Sequence, residues 1–79
     1  MLVVWQFEGC PFCQRLRQRL SELAVDYVAV NAPHGRPEKD EVMRKLFPSA
    51  KVPALWDTHA SRLVQGPEAC LRYVEEAWG

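Results

Sequence analysis

The sequence predicts an α/β domain with the element order βαβαββα, in which a four-stranded mixed sheet is flanked by three helices. Three observations support this prediction. Apolar runs of strand length alternate with segments of helical periodicity. The first strand, helix and second strand have the spacing of a right-handed parallel crossover. The third and fourth strands are separated by a turn, as in an antiparallel hairpin, so the sheet is expected to be mixed.

The composition is that of an ordinary globular domain. At 79 residues the chain is expected to be one domain, residues 1–79. This length is near the lower limit at which a hydrophobic core is stable without disulfides or a bound metal. The formal net charge is zero, so no basic field exists to attract nucleic acid or an anionic membrane. The first apolar run has no cationic leader and stops at Glu8, too short for a signal sequence or a membrane span. We therefore expect a cytoplasmic monomer that binds neither nucleic acid nor membrane.

The first strand and the first helix follow each other closely. Leu2 to Phe7 is nearly all apolar without strict alternation, which predicts a central strand covered on both faces. An amphipathic helix of about 13 residues is then predicted, because apolar residues recur at intervals of four, four and three. These residues are Phe12, Leu16, Leu20 and Leu23.

The second strand–helix pair covers the middle of the chain. Asp26 to Asn31 predicts a strand next to the first, and residues 32–37 form a loop with two prolines and a glycine. Glu38 to Phe47 predicts the second helix, with acids at its start and bases at its end that complement the helix dipole. Its expected apolar face consists of Val42, Met43, Leu46 and Phe47.

The hairpin and the last helix complete the order. Val52 to Trp56 is an apolar run, residues 57–59 form a turn, and Ala60 to Gln65 returns as the fourth strand. Gly66 and Pro67 open the last helix. Its apolar stripe is expected to consist of Ala69, Cys70, Tyr73, Val74, Ala77 and Trp78.

Cys10-Pro11-Phe12-Cys13, at the junction of the first strand and the first helix, is the chemical centre of the chain. Pro11 suits the first helical position, so Cys10 is expected to be the N-cap of this helix. Its sulfur would then lie beside the free N–H groups of the first turn, at the positive end of the helix dipole, where a thiolate is favoured. The spacing alone suits either a small disulfide or a metal. We expect Cys10 to be the attacking thiol and Cys13, one turn inside the helix, to be the resolving thiol. A Cys-x-x-Cys after the first strand is typical of a thioredoxin-like domain.

With these motifs the chain resembles a glutaredoxin over essentially its whole length. The resemblance is carried by Cys10–Cys13, with a proline and an aromatic residue between the cysteines, and by Val52-Pro53 ahead of the hairpin. Lys51 to Leu55 is also similar to the glutathione-contacting stretch in the N-terminal domain of glutathione transferases. The resemblance implies a thioredoxin-like fold, a cis Val52–Pro53 bond and a Val52 backbone that pairs with glutathione. It further implies glutathione as a co-substrate and no bound cofactor.

Two positions depart from these families. Dithiol glutaredoxins usually have a lysine just before the first cysteine, whereas this chain has Glu8, a carboxylate that disfavours a neighbouring thiolate. The Glu-Ser pair that holds the γ-glutamyl end in transferase-like relatives is replaced by Gly66-Pro67. Glu68 is the expected substitute partner for the glutathione amine, with the helix start as the site for its carboxylate. Phe12 and Lys51 are expected to flank the same substrate.

The expected function is a dithiol oxidoreductase that reduces protein disulfides or glutathione mixed disulfides, with glutathione or another small thiol as reductant. One alternative keeps the chemistry and replaces the reductant with a thioredoxin-type reductase. Another is an iron–sulfur module in which two chains each donate Cys10 and glutathione supplies the other thiolates.

The remaining chemically distinctive residues are expected to be structural. Cys70 is expected to fill the core as a small hydrophobe. His34 and His59 are expected to be solvated loop residues, since neither has zinc-ligand spacing to the two thiols. The three tryptophans are expected to pack inside the protein, and they are Trp5, Trp56 and Trp78.

Overall fold

The computed structural model describes residues 1–79 and has the predicted order of elements. They are β1 (Leu2–Gln6), α1 (Pro11–Glu22), β2 (Val28–Asn31), α2 (Pro37–Leu46), β3 (Ala54–Asp57), β4 (Arg62–Gln65) and α3 (Pro67–Trp78). The strands form one sheet in the order β2-β1-β3-β4. β1 is parallel to β2 and antiparallel to β3, which pairs antiparallel with β4. The predicted thioredoxin-like fold is confirmed.

The second, third and fourth strands begin later than predicted. β2 begins at Val28, which pairs with Val3, because β1 has almost no residues before this point to pair with an earlier start. β3 begins at Ala54, so Pro53 precedes the strand rather than lying inside it. This boundary agrees with the missing N–H of proline, which removes a donor from a sheet ladder.

The main core lies between the sheet and the pair α1 and α3. Because side chains alternate along a strand, Leu2 and Val4 of β1 point to this side and Trp5 points to the other. The cluster is formed by Leu2, Val4, Leu16, Leu20, Leu55, Cys70 and Val74. α1 and α3 are further joined at the surface, where the guanidinium of Arg19 donates to the carboxylate of Glu75.

The opposite face of the sheet is covered in part by α2. Its cluster is formed by Trp5, Ala32, Met43, Phe47 and Ala54. The prediction that Val42 belongs to this face is wrong, because its side chain is 47% exposed. Successive helical residues are about 100° apart, so once Met43 faces the sheet its neighbour is turned toward the edge of the interface.

Only one of the three tryptophans is buried. Trp5 is in the core, but Trp56 and Trp78 are 37% and 38% exposed, so the packing prediction is wrong for these two. Trp56 lies in a row that crosses all four strands, in which it pairs with Val3 on one side and Leu63 on the other. The ten-residue helix α2 spans about 15 Å, and this row is left largely uncovered. None of the three helices is long and apolar enough to cross a bilayer.

Candidate active site

The candidate site lies at the edge of the sheet where β1 ends and β3 begins. Trp5 near the end of β1 pairs with Ala54 at the start of β3, so the loop after β1 and the segment before β3 leave the sheet side by side. The start of α3 joins them, since the Gly66 N–H donates to the Pro53 carbonyl at 2.9 Å. Three separate parts of the sequence therefore meet at one edge.

The two cysteines occupy the start of α1 as predicted from the sequence. Cys10 is the N-cap of α1 and Pro11 is its first residue. The Cys13 N–H donates to the Sγ of Cys10 over 3.3 Å, which satisfies one of the free donors of the first turn. The Cys10 N–H in turn donates to the Phe7 carbonyl at 3.2 Å and closes the turn after β1. Both sulfurs are free thiols, and Cys10 is 6% exposed whereas Cys13 is fully buried.

The environment of Cys13 keeps its sulfur protonated at neutral pH. Burial raises the pKa of the Cys13 thiol to about 11, and the hydrogen bond with Cys10 adds to this effect. The Phe7 backbone and the positive charge of Arg17 act in the opposite direction and reverse only part of the rise. The buried thiol is therefore a poor initial nucleophile, which is consistent with a resolving role.

A polar network lies beside the loop that carries Cys10. Arg17 donates to Oε1 of Gln6, a side chain that is almost fully buried in β1. The Gln6 Nε2 donates to Oδ1 of Asn31 at 2.6 Å and links β1 to β2. Arg17 also lies 3.6 Å from the Glu8 carboxylate. The negative charge that precedes Cys10 is thus paired with a guanidinium, although the exposure of Glu8 keeps this pair weak.

Pro53 lies just before β3 and is hydrogen-bonded to the start of α3. The Val52–Pro53 peptide bond is cis, and the Pro53 side chain is fully buried. The Pro53 carbonyl accepts the Gly66 N–H, and the Cys70 thiol lies 3.7 Å from the same oxygen.

Cys70 lies beneath the site, inside the core. It is fully buried and its Sγ also lies 3.6 Å from the Val64 carbonyl. Burial, followed by the nearby charge of Cys13, raises the pKa of the Cys70 thiol to about 12. The predicted packing role of Cys70 is confirmed.

A groove of about 550 Å³ runs along the start of α3 and is bordered by Phe12, the residue between Pro11 and Cys13. Its lining residues are Phe12, Gln65, Gly66, Pro67, Glu68, Ala69 and Arg72. Phe12 is 52% exposed and faces outward from the first turn of α1. Gly66 offers no side chain to cap α3, which leaves the N–H groups of Glu68 and Ala69 free for a ligand. Glu68 and Arg72 contribute one charge of each sign.

The other predicted residues are distributed around and away from this groove. Lys51 is exposed and its carbonyl accepts a hydrogen bond from Gln65 at 3.0 Å. His34 is exposed with its ring centroid 5.2 Å from that of Phe7, and His59 lies in the hairpin turn at the opposite end of β3. No three His, Cys, Asp or Glu side chains form a cluster that could hold a metal ion.

Sequence reasoning missed four polar residues near the site, which are Gln6, Arg17, Gln65 and Arg72. A signal was available for one of them, since Gln6 interrupts an otherwise apolar strand. The partners of the others come from distant segments, and their roles depend on the folded structure.

Comparison with known proteins gives a consistent family. The model of the glutathione S-transferase N-terminal domain matches residues 5–79. The structure of an epsilon-class glutathione S-transferase from the housefly Musca domestica superposes with a TM-score of 0.87 at 20% identity, over 100% of this chain and 36% of that one. A glutathione S-transferase from the Antarctic clam Laternula elliptica gives 0.84 at 26% identity, over 98% and 35%.

A third similar structure was solved with its ligand. A glutathione transferase homolog from Sulfitobacter, with bound glutathione, gives a TM-score of 0.79 at 20% identity, over 99% of this chain and 37% of that one. The chain thus spans a little over a third of the length of these solved proteins. No curated protein sequence matches it.

Proposed function

The chain belongs to the glutathione S-transferase N-terminal domain family, and from this premise we propose that it is a glutathione-dependent thiol–disulfide oxidoreductase acting through Cys10 and Cys13. Residues 1–79 act in this proposal as a single glutaredoxin-like domain. Its substrates are protein disulfides or mixed disulfides of glutathione. Glutathione is a co-substrate and is not a resident cofactor.

The observation that carries the proposal is the asymmetry of the two thiols. Cys10 is the cap of α1, where its Sγ accepts the Cys13 N–H and lies at the positive end of the helix dipole. Cys13 is fully buried and its pKa is raised to about 11. In this proposal Cys10 is the sulfur that attacks and leaves, whereas its neighbour keeps its proton until the second step.

The proposed reaction proceeds by two displacements at sulfur. The Cys10 thiolate attacks a substrate disulfide, so a Cys10–substrate disulfide forms and the other substrate sulfur leaves as a thiolate that takes up a proton. Cys13 then loses its proton and attacks Cys10, which releases the second substrate thiol and leaves a Cys10–Cys13 disulfide. Two glutathione molecules supply the two electrons that restore the dithiol, and they leave as glutathione disulfide.

The groove supports glutathione as the reductant. Glutathione carries two carboxylates and one ammonium group, and the groove offers Arg72, the free N–H groups at the start of α3 and the carboxylate of Glu68. In this proposal Glu68 holds the ammonium group, while Val52 pairs with the cysteinyl part of glutathione through its backbone. Phe12 and Lys51 border the bound tripeptide.

Glutathione conjugation is the second candidate, and the family match favours it. A transferase needs a hydrogen-bond donor that stabilises the glutathione thiolate while this thiolate attacks an electrophile. The reaction does not require a disulfide between glutathione and the protein. Cys10→Ser separates the two functions, because a hydroxyl donates a hydrogen bond but does not form a mixed disulfide. We expect this variant to lose disulfide reduction, and retained conjugation of chlorodinitrobenzene would identify a transferase.

The direct test is stopped-flow reduction of the oxidised protein. We expect glutathione to reduce the Cys10–Cys13 disulfide at a rate that grows with its concentration, while a thioredoxin reductase with NADPH has little effect. The opposite result would favour the reductase-driven redoxin. Failure of both reductants, together with conjugating activity in the parent protein, would replace the proposal with the transferase function.

A further inference from the structure

Gln65 joins the end of β4 to the segment that precedes β3. It is the last residue of β4 and pairs with Ala54 in the sheet. Its side-chain Nε2 donates to the Ser49 carbonyl at 2.8 Å and to the Lys51 carbonyl at 3.0 Å. Both partners are acceptors, so only the NH₂ end of the amide can face them, and both of its hydrogens are used.

The segment that Gln65 holds has no other hydrogen bonds to the protein. No backbone–backbone hydrogen bond involves residues 48–52, which lie between the end of α2 and the start of β3. The two bonds from Gln65 are the side-chain hydrogen bonds made to this stretch. Ala50 and Val52 pack against the cluster under α2, but the hydrogen bonds that fix the path of this segment come from one amide side chain on the neighbouring strand of the hairpin.

Gln65 also lines the groove along the start of α3 that Phe12 borders. The same residue thus contacts both parts of the region assigned to glutathione, the segment before Pro53 and the start of α3. We infer that Gln65 is a positioning residue that holds the Val52 backbone in the orientation that pairs with glutathione, an inference that rests on the proposed function. It acts through the backbone of residues 49–51 and takes no part in the displacements at sulfur.

Two nearly isosteric variants test this inference. Gln65→Glu turns a carboxylate toward the two carbonyls, and Gln65→Met removes both donors without adding charge. We expect each variant to raise the KM for glutathione roughly tenfold, equivalent to about 1.4 kcal/mol, with kcat changed less than about twofold. Gln18→Glu, on the exposed face of α1, is the matched control for the added charge and should leave both constants unchanged.

A second readout follows the segment itself. In the variants, backbone NMR order parameters of residues 50–52 should fall below about 0.6, while those of β3 stay at the values of rigid backbone. The rate of Cys10 alkylation should not change, because the start of α1 is not held by Gln65. Thermal melting of each variant identifies any that is unfolded, and the other variant then provides the test.

The outcomes separate this inference from the proposed function. An unchanged KM in folded variants, or a loss confined to kcat, would overturn the positioning role. If the parent protein does not use glutathione, the proposed function fails and the order parameters still report on the segment. Residues 50–52 that stay rigid in both variants would then show that Gln65 does not hold them.

Discussion

The order in which the three thiols react with an alkylating agent tests the electrostatics of the site directly. The perturbation is Cys10→Ser, which leaves Cys13 and Cys70 as the only thiols. Burial is the largest cause of the raised pKa of Cys13, and burial persists when the Cys10 sulfur is removed. Cys13 should therefore remain a slow nucleophile in this variant.

The expected rate follows from the pKa of about 11 against the ordinary value of 9.0. At pH 7.5 the thiolate fraction is roughly 0.03%, a hundredfold less than the roughly 3% of an ordinary thiol. The more basic thiolate is intrinsically a better nucleophile, and a Brønsted slope of about 0.4 to 0.5 restores a factor of about six to ten. In the parent protein Cys13 should thus react about tenfold more slowly than a reference thiol, before the steric effect of burial is added. In Cys10→Ser the difference should be smaller, because the hydrogen bond and charge of Cys10 no longer raise the pKa of Cys13.

The assay is brief treatment with iodoacetamide followed by peptide mass spectrometry, with N-acetylcysteine as the reference thiol. In the parent protein we expect the label on Cys10 first, and in Cys10→Ser we expect labelling of Cys13 to rise about tenfold per pH unit through the alkaline range. Cys13 labelled before Cys10, or a Cys13 rate that levels off below about pH 9, would refute the assignment of the two thiols.

Three further predictions concern resolution and stability. Cys13→Ser should stop reducing protein disulfides and accumulate as a mixed disulfide, but it should still deglutathionylate small substrates because a second glutathione frees Cys10. Mass spectrometry and paired activity assays check this prediction. Loss of both activities would favour the reductase-driven alternative. Tyr73→Phe should lower the free energy of unfolding by about 1–2 kcal/mol at neutral pH, because the Tyr73 hydroxyl donates to the Asp57 carboxylate at 2.6 Å. That hydrogen bond lowers the pKa of Asp57 below its ordinary value of 3.8, so its contribution to stability is complete above pH 3.8 and fades as the pH falls through the lowered pKa. Denaturant unfolding of parent and variant at neutral and acidic pH checks this. An equal loss of unfolding free energy at both pH values would contradict it. Leu16→Ala should cost about 2–5 kcal/mol in denaturant unfolding because Leu16 is fully buried, and a cost below about 1 kcal/mol would contradict its assignment to the core.

The features that could be predicted from the sequence are those with local causes. Pro11 suits a first helical position by its fixed φ, so the start of α1 and the cap role of Cys10 follow from adjacent residues. The apolar runs and their spacing predicted the strand–helix–strand unit, and the turn after β3 predicted the hairpin. Each of these signals lies within a few residues of the structure that it specifies.

The features that sequence reasoning missed depend on residues far apart in the chain. Gln65 meets carbonyls 16 and 14 positions away, and Gln6 meets Asn31 25 positions away. Neither contact has a local pattern, because each exists only after separate elements pack together. The exposure of Val42 and Trp56 has a similar origin, since it depends on how much of the sheet a short helix covers.

The pairing of β1 with β3 has a consequence for the newly made chain. This pairing brings Trp5 to Ala54 and Leu2 to Asp57, across more than half of the sequence. At a synthesis rate of roughly 5–20 residues per second, Cys13 is made about 2 to 8 seconds before Pro53, and the rest of the hairpin follows later. During this interval the core that buries Cys13 has not formed, and both sulfurs belong to an incomplete chain. Until the hairpin joins the sheet, the burial that raises the pKa of the Cys13 thiol is therefore absent.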